Sequence, residues 1–406
     1  MRRITAAPRG RCLGPILACL VTFGLVSAGN APASETSQTS ASEAVELPPE
    51  GTIDPFLRPA TLQILPLFDD ERFPNIVVTR QGTLLATWGN SRFRVRRSED
   101  GGRTWGPEIV VAEPGFQGGG TTVDETTGDV LVFVEAHHPP AEVTVYRSRD
   151  DGQTWSEETV TIHPDRRGQL PSMHMNEAGI TLLRGPHQGR LLRPTRDYAG
   201  ANRRDLWPQH VTNAIYSDDG GLTWHTGEPF PEKGTGEAAV VELSDGRLLY
   251  NSRVHWDQRP RNTRRRQAIS DDGGQTWTDW RIVEVLPDGR QDNSYGCMGG
   301  LTRLPIAGRD VLVYSNIDTP NPTRERITVW ASFDGGETWP VKRLVDAGPA
   351  AYSSLAAGRP ETPTEGQIYL FYEGGSQSKG QIARFNLSWL SQGEPTGDGT
   401  IPDWAR

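Results

Sequence analysis

The pattern Ser-x-Asp-x-Gly-x-Thr-Trp occurs five times without a mismatch, and few architectures accommodate that repeat. The copies begin at Ser98, Ser148, Ser217, Ser270 and Ser332 and end at Trp105, Trp155, Trp224, Trp277 and Trp339. Each follows a strand-like run such as Val143-Thr-Val-Tyr146 and precedes another such as Glu108-Ile-Val-Val111, so each reads as a hairpin turn. The Ser and Asp side chains suit turn amides that a ladder leaves unpaired, and glycine supplies a φ > 0 position. The Trp then plugs the space between strands. This reading makes the boxes structural rather than sites for a cation or a sugar. With 45 glycines and 31 prolines among 406 residues, a mostly helical fold is excluded.

A second, fainter repeat interleaves with the first. Gly82, Gly128, Gly189, Gly246, Gly308 and Gly366 each open an apolar run, at intervals of 46, 61, 57, 62 and 58 residues. A unit of that length holds about four short strands, which is a propeller blade. The expected fold is all-β: a six-bladed β-propeller with Asp-box hairpin turns over residues 56–392. Strands from both chain ends would close the last blade and hide its edges.

Seven residues beyond each glycine lie Gly89, Glu135, Arg196, Arg253, Ser315 (or Asn316) and Glu373. Four are charged, directly after apolar runs. Buried charges are paired or used, so a ring of them at equivalent strand ends marks a binding mouth.

The first 33 residues have the plan of a secretory signal peptide: Arg2, Arg3, Arg9 and Arg11, an apolar run from Leu13 to Val26, then small residues to Ala33. Export to the periplasm or medium is expected, with no membrane span after cleavage. Cleavage leaves 38 basic against 51 acidic residues, a net −13, which excludes bulk-charge binding to nucleic acid. Cys297 would then stand alone, so no internal disulfide is expected. Residues 34–55 read as a flexible linker and 393–406 as a C-terminal tail. No cofactor or metal motif is present; Met173-His174-Met175 reads as packing and His137-His138-Pro-Pro as a loop. Arg259, Arg261, Arg264, Arg265 and Arg266 read either as a solvated loop or as a subsite for a polyanionic glycan.

From about Arg72 to Leu390 the chain resembles the sialidase (neuraminidase) superfamily. Glu71-Arg72-Phe73-Pro74 looks like the motif of the first of three arginines. The segment Glu237 to Arg253 is similar to the one carrying the catalytic glutamate and second arginine. Arg324-Glu-Arg-Ile resembles the third-arginine segment, with Arg326 as the competing assignment. Ala351-Tyr352-Ser-Ser resembles the nucleophile segment, and Phe371-Tyr-Glu373 the stretch whose glutamate orients the first arginine.

The resemblance implies an exo-α-sialidase acting on sialylated or other acidic glycans, with Tyr352 and Glu237 catalytic. Three guanidinium groups, of Arg72, Arg253 and Arg324, would clamp the sugar carboxylate with planar, charge-assisted bonds. A neutral tyrosine nucleophile escapes the repulsion a carboxylate would meet there. Arg196-Asp197-Tyr198 matches a segment lining the glycerol and N-acyl side of the pocket. One departure stands out. The family's acid/base aspartate belongs where this chain has Gly89-Asn-Ser-Arg-Phe-Arg-Val-Arg-Arg97, without a carboxylate. Glu135, Asp197 and His174 are the available substitutes. The alternatives are a non-catalytic glycan-binding propeller, and a glycosidase or lyase for another acidic sugar.

Overall fold

A computed structural model describes residues 48–405, except 118, 255–262, 289–295, 322 and 376–378. The expected signal segment, and the linker up to residue 47, lie outside the described residues. Among the described residues no helix is long and apolar enough to cross a membrane. The structure is all-β, with its strands in a propeller arrangement of meandering antiparallel sheets.

The first sheet runs Asn75–Val78, Leu84–Trp88, Phe93–Ser98 and Ile109–Ala112 in simple succession. The second places Phe116–Gln117 and Thr122–Val123 on one edge of Val130–Glu135, followed by Val143–Ser148 and Ser156–Glu158. The third runs Ile180–Thr181, Leu191–Asp197, Val211–Ser217 and Thr223–Thr226, with Thr161–Ile162 added in parallel. The fourth runs Thr235–Glu242, Leu248–Val254, Arg264–Ser270 and Thr278–Pro287.

The last sheet has eight strands. Its axis is Val341–Ala357, a 17-residue strand whose first half pairs with Glu325–Ser332 and whose second half pairs with Ile368–Gly374. Among the described residues the hydrogen-bonded sheets therefore number five, where the repeats lead one to expect six. One continuous strand joins two of the repeat units. At the far edge of this sheet Leu62–Phe68 pairs with Gly380–Phe385, so strands from the two ends of the described chain meet as expected.

The boxes have the geometry their sequence suggests. In each, the Ser Oγ donates to the Asp and accepts from the N–H of the glycine four positions on, at 2.7–2.9 Å. The Asp Oδ1 also accepts from the Thr amide, at 2.8–2.9 Å. Those glycines have φ near +80 to +88°, where a side chain is strained. Trp224 and Trp339 are fully buried, filling the gaps between neighbouring sheets.

Both ends of the described stretch are docked. Glu50 pairs with Arg184 and Arg303, and Gly51 hydrogen-bonds Pro305 and Ala307, so residues 48–51 are not loose linker. The expected tail is also held: Glu394–Pro395 pairs with Val341–Lys342, and Trp404 packs on Phe333.

Candidate active site

The innermost strands share a central channel. Parts of five of them (Ile76–Val78, Ile180–Thr181, Val240–Glu242, Leu301–Arg303 and Leu355–Ala357) line one cavity of about 260 Å³. At the opposite ends of these strands, or just before them, stand Arg72, His174, Glu237, Cys297 and Tyr352. The chemistry-bearing residues gather at that second end and do not line the cavity.

Tyr352 and Glu237 meet directly. The Tyr352 hydroxyl donates to Glu237 Oε1 at 3.1 Å, and Arg253 Nη1 lies 3.4 Å from the same hydroxyl. Arg253 also donates to Glu237 Oε2, forming a buried ion pair. Burial raises a carboxylate pKa, but Arg253, Arg196 and Arg324 outweigh it and hold Glu237 below its ordinary value. Burial, then the Glu237 charge, push the Tyr352 phenol up to about 12. Only about one phenol in 10⁵ is then ionised at pH 7. The pair is thus a neutral phenol hydrogen-bonded to an ionised carboxylate.

Two further guanidiniums face the same ring. Arg72 and Arg324 each place Cζ 5.3 Å from the Tyr352 ring centroid. Glu373 holds Arg72 through two parallel bonds of 2.9 and 2.8 Å and accepts from the Phe73 and Tyr352 amides. Arg324 donates to the Gly296 carbonyl at 2.9 Å. Arg326 instead turns to the Asp318 carbonyl, so Arg324 is the arginine beside Tyr352. Glu71 and Phe73, on either side of Arg72, both have positive φ, 59° and 81°. Backbone strain at bulky residues clusters where a side chain must be aimed.

The other expected residues fall outside this contact set. Glu135 accepts from Ser172 Oγ at 2.7 Å and the Met173 amide at 3.1 Å; burial pushes it up to about 7. Asp197 has both oxygens engaged, by Arg167 at 2.6 Å and the Ala199 amide at 2.7 Å. Tyr198 is buried beneath Arg196, whose Cζ lies 4.6 Å from its ring, and abuts His210. Neither expectation for the arginine cluster holds at Arg265 and Arg266. Arg265 and Arg266 are buried on a strand, bound to Asn251, Asp288 and Glu232. Asp288 also accepts from the Val254 amide, bracing the strand end that carries Arg253. Met173 and Met175 belong to different core clusters, with a turn at Met175 (φ 50°) rather than the alternation of a strand.

Residues the sequence does not single out complete the mouth. Phe73 stacks on Tyr352 at 5.9 Å and tilts against Phe116 at 5.2 Å. Phe73 precedes and Phe116 opens a short strand, at varying distances from the repeat glycines, so fixed spacing does not reach them.

Residues 82–370 match the BNR repeat-like domain family. The chain belongs to the sialidase/BNR-repeat superfamily. A sialidase of Micromonospora viridifaciens is 33% identical over 374 residues, covering 83% of this chain and 54% of that protein. The chain thus spans about half the length of that relative. Among solved structures, a Hadza microbial sialidase has a TM-score of 0.61 and 26% identity, covering 77% of this chain and 65% of that one. An intramolecular trans-sialidase from Ruminococcus gnavus shares the fold, with a TM-score of 0.60 at 15% identity over 80% and 98% of the two chains.

One position of the carboxylate-free stretch 89–97 is closed to any side chain. Gly89 has φ +130°, and a Cβ there would stand 1.8 Å from the Arg92 carbonyl oxygen. No side chain fits. Glu71 occupies the space instead, accepting from the Asn90 and Ser91 amides and the Ser91 hydroxyl. Burial opposes its charge, but those bonds and Arg94 hold Glu71 below its ordinary pKa, so it is a committed acceptor.

Proposed function

We propose that the chain is an exported exo-α-sialidase-like glycoside hydrolase that removes a terminal sialic acid from glycans with retention. In this reading the propeller has six blades, the eight-stranded sheet counting as two, and residues 1–33 direct export. The single observation that carries the proposal is the Tyr352–Glu237 contact at 3.1 Å inside three arginines. The arginines take the substrate carboxylate; Glu373 keeps Arg72 planar to it. Glu237 accepts the phenol proton as Tyr352 attacks the anomeric carbon, and water later releases the sugar.

The test is release of fluorophore from a fluorogenic α-sialoside. The protein is expected to turn it over, and Tyr352→Phe to lose about three orders of magnitude or more. Equal turnover by both proteins would sink the mechanism. The carboxylate-free turn after Gly89 favours a second reading, a binding propeller without turnover. That reading requires sialoside binding, abolished by Arg253→Ala, with no product formed by either protein.

A further inference from the structure

Resting on that reading, we propose that the His138 imidazole, seated on His174, donates the proton to the leaving group where the family's carboxylic acid is absent. The argument starts from the deficient turn. Gly115 N–H bonds the Ser91 carbonyl and Gln117 N–H the Gly89 carbonyl, at 2.8 and 3.1 Å, so Phe116 is pinned beside that turn. The His138 ring lies edge-on to Phe116 at 5.4 Å and 4.5 Å from the His174 ring. His174 in turn packs on Phe73 at 6.0 Å, and Phe73 stacks on Tyr352. The two histidines therefore occupy the sector that lacks a carboxylate.

Their environments differ in a way that suits different tasks. His174 is 5% exposed, and its Nδ1 is buried with no hydrogen-bond partner among the described residues. Burial, then His138 and three arginines (Arg196, Arg253 and Arg72), hold it well below its ordinary pKa, so it is a neutral platform. His138 is exposed at the rim. Its Nδ1 lies 3.2 Å from both the Pro139 carbonyl and the Asn202 amide nitrogen. The carbonyl accepts from a protonated Nδ1, and the amide donates to a deprotonated one. Asn202 is fixed in that orientation because its Oδ1 accepts from Trp207 Nε1 at 3.0 Å. The Pro139 bond keeps a proton on Nδ1 both in the imidazolium and in the ring that has given up its Nε2 proton, whereas the Asn202 bond belongs to the neutral ring protonated on Nε2; Nε2 itself has no hydrogen-bond partner among the described residues.

The step balances. As the bond from the anomeric carbon to the aglycone oxygen breaks, that oxygen takes the proton from His138 Nε2. Tyr352 Oη forms the new bond and its proton passes to Glu237. In the second step water gives a proton to His138 Nε2 and its oxygen to the anomeric carbon. Tyr352 departs and recovers its proton from Glu237.

The experiment compares sialyllactose, a poor leaving group, with 4-methylumbelliferyl sialoside, a good one, in full-length wild type, His138→Gln and His138→Glu. Loss of an acid weighs on the poor leaving group. His138→Gln is expected to lose about 10²–10⁴-fold in kcat/KM on sialyllactose but less than about tenfold on the aryl sialoside. His138→Glu should recover part of the sialyllactose rate. Burial and Arg196 lower the His138 pKa, opposed by Pro139 and Glu237, with His137 adding to the lowering. The wild-type rate on sialyllactose should accordingly fall as pH rises through a value below 6.5, and His138→Gln should lack that limb. Equal losses on both substrates, or none, would overturn the role. Wild type that leaves the aryl sialoside intact would overturn the parent reading, and this inference with it.

Discussion

Tyr352 is a phenol kept protonated by its surroundings and hydrogen-bonded to a carboxylate kept ionised by three arginines. Because the folded pKa of Glu237 lies below 4.5, its capacity as a base persists as pH falls through 4.5 and is lost only beneath that. Turnover of an aryl sialoside should therefore hold at pH 4.5, and a base limb centred above that value would contradict the assignment. Arg253 is wholly buried against Glu237, and removing one partner of such a pair strands the other. Arg253→Ala should cost about 3–5 kcal/mol in chemical denaturation. Tyr352, Glu237, Arg72 and Arg253 were legible because each sits in a segment with a family pattern. The setting of His138 was not, because it depends on ring contacts between loops far apart in sequence.

The Asp-boxes show how an element earns its motif. Asp272 accepts from Ser270 Oγ, the Gln275 and Thr276 amides and Thr276 Oγ1. Burial works against its charge, but these bonds hold its folded pKa below 3.8. The stability it contributes is present above 3.8 and disappears as pH falls through the lower folded value. Asp272→Asn should then lower Tm by a few degrees at pH 7 and by less at pH 3, with aryl sialoside turnover at 25 °C unchanged. An equal shift at both pH values would count against the ionised cap. Box geometry was readable residue by residue, since all its partners lie within four positions. The sheet count was not, because nothing local announces that Val341–Ala357 runs on from one sheet edge into the next. Nor does local pattern tell a solvated arginine run from Arg265 and Arg266 buried on a strand, where Asp288 and Glu232 supply the counter-charges.

At the scale of the molecule, the ring depends on Leu62–Phe68 sealing the edge of Gly380–Phe385, with Phe68 stacked on Trp88 at 5.5 Å. Deleting residues 1–69 would bare that edge, and open strand edges recruit other chains. Size-exclusion chromatography should show aggregation of the deleted form, and an active monomer would mean the closure is dispensable. Closure also brings Arg72 to Glu373, 301 residues away in sequence, and sets both beside Tyr352. The long-range architecture thereby gathers Arg72, Glu373 and Tyr352 at one place. The most direct test is trapping with a 3-fluorosialosyl fluoride, whose ring fluorine slows release of a covalent intermediate, followed by peptide mass spectrometry. The expected result is inactivation with one sugar attached to the peptide bearing Tyr352, absent in Tyr352→Phe. Turnover of the sialoside with Tyr352 unlabelled, or a label on another residue, would contradict it.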